Sequence, residues 1–544
     1  MTQDHYSIKD FSKEEFYKIF LNENTVEENV KINARIQYLA SYLNIIQCEK
    51  IIVENNYIDK DYLLDYQDFY VRCFRNYSKI CKRAHFFSVN FSNEDIERIL
   101  NTKEDKDLIE KLKKSYLGFT VIKPLPEKVV GKTCIKNFED SDKRAFLATR
   151  GDYKANLFGI DLKVKSLAFQ EQDTIMGACA TISLWCAFHK TSQLFGHGVY
   201  SPGEITRAAT KHYLSGTREI PSEGLTIDQI LDGIRHTGLT YEVTKIEKDE
   251  NNKEMRDKEI LLGTIYAYLK MEIPVILGIV RPDGRRHAVT ITGYRLERIN
   301  EGIKGKTNLI ASSINRLYAH DDNIGPFSRV YITEKEYPQY IINMKQLKSP
   351  SESKDYPIEA YDFSEKLINF RPGLKLEFVY PPEDTKKEVT PYIMVIPLYH
   401  KIRINFKNIC SEINKINGIF KYAFEDPIIN WDIFLSTSNS LKSDLLKDSK
   451  INKKIRKEIL TRSMPKYIWR CKAFSNNNEM MEIIADSTDI NANNSLLNII
   501  GSDSSKKELK LQFEEVLSNP IRKNGLIGIA GQRFMALFEK YIEE

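Results

Sequence analysis

The sequence predicts an α+β fold from three observations: helical periodicity near the start, an apolar helix in the middle, and β-branched alternating segments downstream. At 544 residues, 42% hydrophobic and 28% charged, the chain has globular composition and is too long for one core. Two to four domains are expected, and a disordered or fibrous protein is excluded.

Residues 1–160 read as helical and then β. Val30–Ile46 and Tyr62–Cys81 repeat apolar residues at three- and four-residue spacing, without Pro or Gly. The aromatic stripe of the second, DYLLDYQDFYVRCFRNYSKI, is the packing face of a helix, not a binding surface. HFFSVNF, GFTVIKPLP and KRAFLAT are short β-like runs between polar turns, which suggests a small sheet packed on the helices.

Residues 161–345 begin with an apolar helix over Cys179–Phe188, followed by helices near Pro202–Leu214 and Thr226–Thr237. EIPVILGIV and HAVTITGYRLE then alternate β-branched residues across the turn RPDGR, a strong hairpin signal. A third strand, about Arg316–His320, ends at the loop DDNIGPF. The stretches KSPSESKDYP (348–357) and PPEDTKKE (381–388) read as linkers and place a domain boundary near 346. Residues 346–544 read as mixed α/β: a helix over Lys401–Ile416, and a strand pair in YIWRCKAF and EMMEIIADSTDI.

Several function classes are disfavoured. Eighty Lys plus Arg against 75 Asp plus Glu give a formal charge of +5, too small for a dedicated nucleic-acid binder. The basic segment Lys447–Arg462 reads as a solvated helix face. Eight scattered cysteines without CxxC pairs point to reduced thiols and a cytoplasmic setting. The N-terminus MTQDHYSIKDFSKEEF lacks the apolar stretch of an export signal, and no apolar run approaches the roughly 20 residues that cross a bilayer. No specific nucleic acid and no membrane partner are expected, and no oligomeric state is legible. VVGKT and GIKGKT miss the glycine spacing of a phosphate-binding loop. Cys179, Cys186, His189 and His197 match no zinc spacing, so neither a metal nor another cofactor is expected.

A constellation of chemistry remains: FQEQDTIMGACATISLW (169–185), GRRHAVTITGY (284–294) and LYAHDDNIGPF (317–327). Small residues surround Cys179 where the apolar helix begins, so its sulfur meets the positive end of the helix, which favours a thiolate. His287 opens a strand after a tight turn, and Asp321 closes the next strand, where a carboxylate can fix the imidazole's orientation. Asp322 is an alternative for that role. Gln170 and Gln172 precede the cysteine, and a side-chain amide with the Cys179 N–H would form an oxyanion hole. Cys186 reads as core.

These three stretches resemble the core of papain-like cysteine peptidases, and within them the bacterial C39-like branch. The resemblance covers about residues 161–345 and rests most on QDTIMGACATISLW, HAVTITGY and the strand ending at Asp321 and Gly325. It implies a helix packed on an antiparallel sheet, with Cys179 as nucleophile, His287 as general base and acid, Asp321 as orienting carboxylate and Gln172 as oxyanion-hole donor. Gln172 stands seven residues before the cysteine where the family usually has six, and Ala180 replaces the family's glycine. The expected function is hydrolysis of an amide or isopeptide bond in a specific protein or peptide. Acyl transfer, deamidation, or an inactive binding scaffold on the same fold are the alternatives.

Overall fold

A computed structural model of the chain describes residues 5–23, 25–101, 105–138, 145–147, 149–173, 178–212, 224–246, 257–297, 302–304, 306–346, 361–380, 385–423, 428–490 and 495–543. Among them are 16 α-helices and 20 strands, an α+β architecture. No helix among the described residues is long and apolar enough to cross a membrane.

The first sheet is antiparallel, in the order β1 (Tyr6–Asp10), β2 (Lys50–Tyr57), β3 (Cys81–Phe87), β4 (Tyr116–Ile122) and β5 (Val130–Ile135). Helices Lys13–Ile19 and Ala34–Ile45 cover one face through Phe16, Ile36, Leu39 and Leu43. Phe87, Phe119 and Val121 share the other core with the helix Cys179–Phe195. β6 (Ala145–Leu147) is a short strand, and β7 (Gly151–Leu157) with β8 (Ile160–Ser166) forms a hairpin.

The second sheet closes on itself. After β9 (Thr240–Lys245) come β10 (Val275–Val280), β11 (Arg286–Leu296), the short β12 (Thr307–Leu309), β13 (Ile314–Asp321), β14 (Gly325–Gln346), β15 (Tyr361–Tyr380) and β16 (Thr385–Leu398). The hydrogen-bonded order β10-β11-β13-β14-β15-β16 returns to β10, making a six-stranded barrel, with β9 attached to β16 and β6 to β11. The third sheet joins β12 to β17 (Ile429–Thr437), β18 (Tyr467–Ser475), β19 (Asn478–Asp486) and β20 (Leu496–Ile500). Helices Asp257–Leu269 and Phe406–Ala423 share one core with the barrel and this sheet.

The hairpin read from RPDGR is present: β10 and β11 pair antiparallel with Ile279 opposite His287. The strand pair in the C-terminal region is β18 with β19. Four expectations need correction. The first region is not helical and then β, because β1 precedes all of its helices and β2 the last three; the β-branched run Ile51–Val53 supplies the strand signal. The Val30–Ile46 helix starts at Ala34, since Asn33 breaks it off from Glu27–Ile32 and caps the new helix. The helix expected over Tyr62–Cys81 ends at Asp68, a 3-10 turn covers Tyr70–Arg72, and Cys81 already starts β3. The boundary near 346 falls inside the barrel, because β15 and β16 supply the strands that close it. The stretch 348–357 that prompted that boundary lies outside the described residues.

The helix Cys179–Phe195 is buried without a break from Ala180 to Thr191, which is why most of its residues there are apolar. Trp185 is fully buried, and its indole N–H donates to Asp61 of the N-terminal region at 3.2 Å. On the opposite side Thr290 of β11 donates its hydroxyl to the Ser183 carbonyl at 3.0 Å. Burying one tryptophan of this kind stabilises the packing by about 2 to 3 kcal/mol. Gly196, with φ of 79°, ends the helix in the left-handed conformation that suits glycine.

Candidate active site

Cys179 is the first residue of its helix, preceded by Ala178, which offers no side-chain cap. The first-turn amides therefore receive no side-chain cap from that position, and no acidic residue occupies the turn. Cys179 is half-buried, whereas Cys48, Cys81, Cys134, Cys186, Cys410 and Cys471 are buried; only Cys73 is comparably exposed. Burial pushes the Cys48, Cys81, Cys134 and Cys410 thiols up to about 12, and those of Cys186 and Cys471 also upward, as expected of packing residues.

The closed barrel brings the other two residues to that helix end. His287 stands at the start of β11 and Asp321 at the end of β13, neighbouring antiparallel strands. His287 Nε2 lies 2.9 Å from Asp321 Oδ1 and 3.3 Å from Asp322 Oδ1. The Cys179 side chain is close enough to the same imidazole to help raise its pKa. Cys179, His287 and Asp321 are thus brought together, and Asp322 is also in reach.

Burial alone would strip the proton from His287, but the charges of Asp321 and Asp322, the hydrogen bond of Asp321 and the proximity of Cys179 hold its pKa well above the usual range. The surroundings therefore favour the charged imidazole, whose Nε2–H would face Asp321. Burial raises both acids, yet Asp321, held by His287 and by the Asn323 N–H at 2.9 Å, ends below its usual value. Asp322 is pushed up to about 6 by burial and, against the pull of His287, by the charge of Asp321. The two neighbouring acids thus differ: the fold favours the charged form of Asp321 and disfavours that of Asp322.

Three residues that sequence reasoning did not single out complete the site. Asn323 places Nδ2 3.1 Å from His287 Nε2 and accepts from Arg35 Nη2 at 3.4 Å. Arg35 comes from the N-terminal region, on the first turn of a helix capped by Asn33. Its Nε lies 3.1 Å from both the Asp322 carbonyl and the fully buried Glu171 carboxylate. Tyr38, one turn on, donates to the Pro326 carbonyl at 2.8 Å. One helix thus braces the turn that carries Asp321 and Asp322. Asn323 had a visible signal, the Asp/Asn cluster of an Asx turn before Gly325. Arg35 and Tyr38 lie almost 290 positions upstream of their partners and had none.

Gly325 shows how tight this brace is. Its φ is +156°, and a Cβ there would stand 2.1 Å from the Tyr38 ring. Gly325→Ala is expected to lower stability by about 2 to 4 kcal/mol. Chemical denaturation would measure it, and combining it with Tyr38→Ala should recover part of the loss.

Gln172 is half-buried and makes no hydrogen bond to Cys179 among the described residues. Its neighbours are pinned: Glu171 by Arg35 and by the Val130 N–H, Asp173 by the Tyr70 hydroxyl. Gln170 is 2% exposed, its Nε2 has no partner, and its main chain meets the Cys186 thiol, deep along the helix. Of the two amides, Gln172 is the partly exposed one and Gln170 is buried. His189, from the discarded zinc set, is buried against Trp185 with ring centroids 4.3 Å apart.

Comparison with known proteins yields no match: no family model fits the chain, and no curated protein or solved structure is significantly similar.

Proposed function

We propose that the chain is a thiol hydrolase of the cysteine-peptidase kind, cleaving an amide or isopeptide bond in a protein or peptide. The observation that carries this reading is the grouping of Cys179, His287 and Asp321: a thiol at a helix N-terminus, close enough to an imidazole to help raise its pKa, and a buried carboxylate 2.9 Å from that ring's Nε2. Resemblance of the same three stretches to papain-like cysteine peptidases, and a helix packed on an antiparallel barrel, support it further.

In this reading the Cys179 sulfur attacks the carbonyl carbon, and the Cys179 N–H with the Gln172 amide steadies the oxyanion. His287 gives its proton to the leaving amine as the C–N bond breaks, leaving an acyl-enzyme. Neutral His287 then takes a proton from water, whose oxygen attacks the thioester and frees the acid and the thiol. Asp321 keeps the ring in place through both steps. Substitution of an amine for that water gives acyl transfer, and a side-chain carboxamide as substrate gives deamidation.

The test compares the proteomes of cells expressing the wild type and Cys179→Ala. New protein termini or lost isopeptides confined to the wild type are expected. Identical proteomes, together with a Cys179 no more reactive than Cys73, would leave the binding scaffold as the better description.

A second reading is favoured by one further observation. The ligand atoms of His287, Asp321 and Asp322 lie within 4.8 Å of one another, and the Oδ2 atoms of both acids have no hydrogen-bond partner. A divalent cation held there would take the imidazole lone pair and leave Cys179 without its base. Zinc titration separates the readings. The hydrolase reading expects activity that survives chelation and is inhibited by zinc, whereas a metal-dependent protein would lose activity to a chelator and regain it with the metal.

A further inference from the structure

The hairpin before His287 carries three arginines, Arg281, Arg285 and Arg286. Arg285 is neutralised by Asp283 at 2.6 Å, but neither Arg281 nor Arg286 has an ion-pair partner among the described residues. Strand alternation fixes where Arg286 points. Thr290 and Ala288 face the Cys179 helix, Thr290 by its bond to Ser183 and Ala288 by packing in the core they share. Arg286 has the same parity. It projects from the helix-side face next to His287, whose own side chain leaves the barrel-facing side, opposite Ile279, at the start of the strand.

Its guanidinium lies 5.5 Å from the ring centre of Tyr392, on the far side of β10 from His287. Tyr392 fills the space left by Gly278, where a Cβ would meet the ring at 2.9 Å. The phenol is raised by burial, lowered by Arg286 and raised again by the Cys179 sulfur, so all three share one electrostatic neighbourhood. Arg281 stands at the other end of the same turn, where its N–H donates to the Arg285 carbonyl at 2.9 Å, and its charge is felt by Asp321 and Asp322. The turn before His287 thus carries two arginines without an ion-pair partner among the described residues, one against Tyr392 and one toward the carboxylates.

We propose that Arg286 and Arg281 form an anion-reading rim on the thiol cleft, and that the substrate carries acidic side chains beside the bond that is cleaved. This inference rests on the thiol-hydrolase reading. Arg286, held over Tyr392 by a cation–π contact, is preorganised for a carboxylate entering over the helix N-terminus, and it draws such a segment in from solution. Neutral segments lose that attraction, and basic segments are repelled.

Iodoacetate and iodoacetamide test this directly, since they are the same electrophile with and without a negative charge. The protonated His287 attracts iodoacetate in every variant, so the readout is how the rate ratio changes when the arginines go. In Arg281→Gln/Arg286→Gln the iodoacetate-to-iodoacetamide ratio at Cys179 should fall about fivefold or more at low salt, and the gap from wild type should shrink as salt rises. Peptidyl vinyl sulfones carrying Glu, Gln or Lys next to the electrophile should label the wild type in that order, and the double variant without preference. An unchanged ratio, or no preference for Glu in the wild type, overturns the acidic-substrate inference while leaving the thiol site standing. A Cys179 inert to both haloacetyl reagents overturns the hydrolase reading itself.

Discussion

Iodoacetamide should alkylate Cys179 faster than any other thiol of the chain at neutral pH, and that advantage should go in His287→Ala. Six of the eight cysteines are buried, so the reagent reaches them slowly. Cys179 is different because it is half-buried at a helix N-terminus, beside an imidazole that two buried carboxylates hold toward its charged form. Cys73 is the proper internal control, being the one other half-buried thiol. In His287→Ala the rate at Cys179 should fall by about 100-fold, toward that of Cys73. Peptide mass spectrometry after brief labelling reads both sites in one sample. A Cys179 no faster than Cys73 in the wild type would remove the basis for any thiol chemistry here.

The parts of this site that were legible in the sequence are those set by local rules. A tight turn between β-branched runs makes a hairpin wherever it occurs, so His287 could be placed at a strand start, and the register of Ile279 with His287 agrees. Small residues before an apolar run mark a helix start, which located Cys179. The brace was illegible for the opposite reason. Arg35 and Tyr38 sit in a helix whose local sequence is fully explained by capping and core packing, and only closure of the chain brings them to the Asp321 turn. Tyr392 is similar: it reads as one residue of an apolar strand until β16 is seen to pair with β10. The misplaced boundary near 346 has the same origin, since a barrel closed by its first and last strands has no local sign of where it ends.

Replacing the two neighbouring acids separately should separate geometry from charge. Asp321 both bonds Nε2 and is itself fixed by the Asn323 amide, so Asp321→Asn removes a charged acceptor and offers a donor in some orientations. A loss of about 10² to 10⁴ in turnover is expected, with the imidazole free to turn away from the sulfur. Asp322 stands 3.3 Å from the ring and acts mainly through its charge. In Asp322→Asn the loss below pH 6 should be small. Its signature is instead in the alkaline limb. The imidazolium that protonates the leaving amine is lost as pH rises through the raised His287 pKa, and removing a nearby negative charge lowers that pKa. The limb therefore moves to lower pH. Stability gives an independent sign. His287, raised in the fold, contributes stability that is full below its unfolded pKa of about 6.5 and fades as pH climbs through the folded value. Asp321, lowered in the fold, contributes above about pH 4 and loses its share in acid. Asp322 runs the other way: it is raised to about 6, so its contribution is present below about pH 4 and is lost as pH rises through 6. Thermal melts between pH 4 and 6 should accordingly show the wild type losing ground to Asp322→Asn as pH increases. An Asp322→Asn protein with the alkaline limb of the wild type, and a parallel melting profile, would mean that Asp322 carries no charge in the fold and that Asp321 alone sets the state of His287.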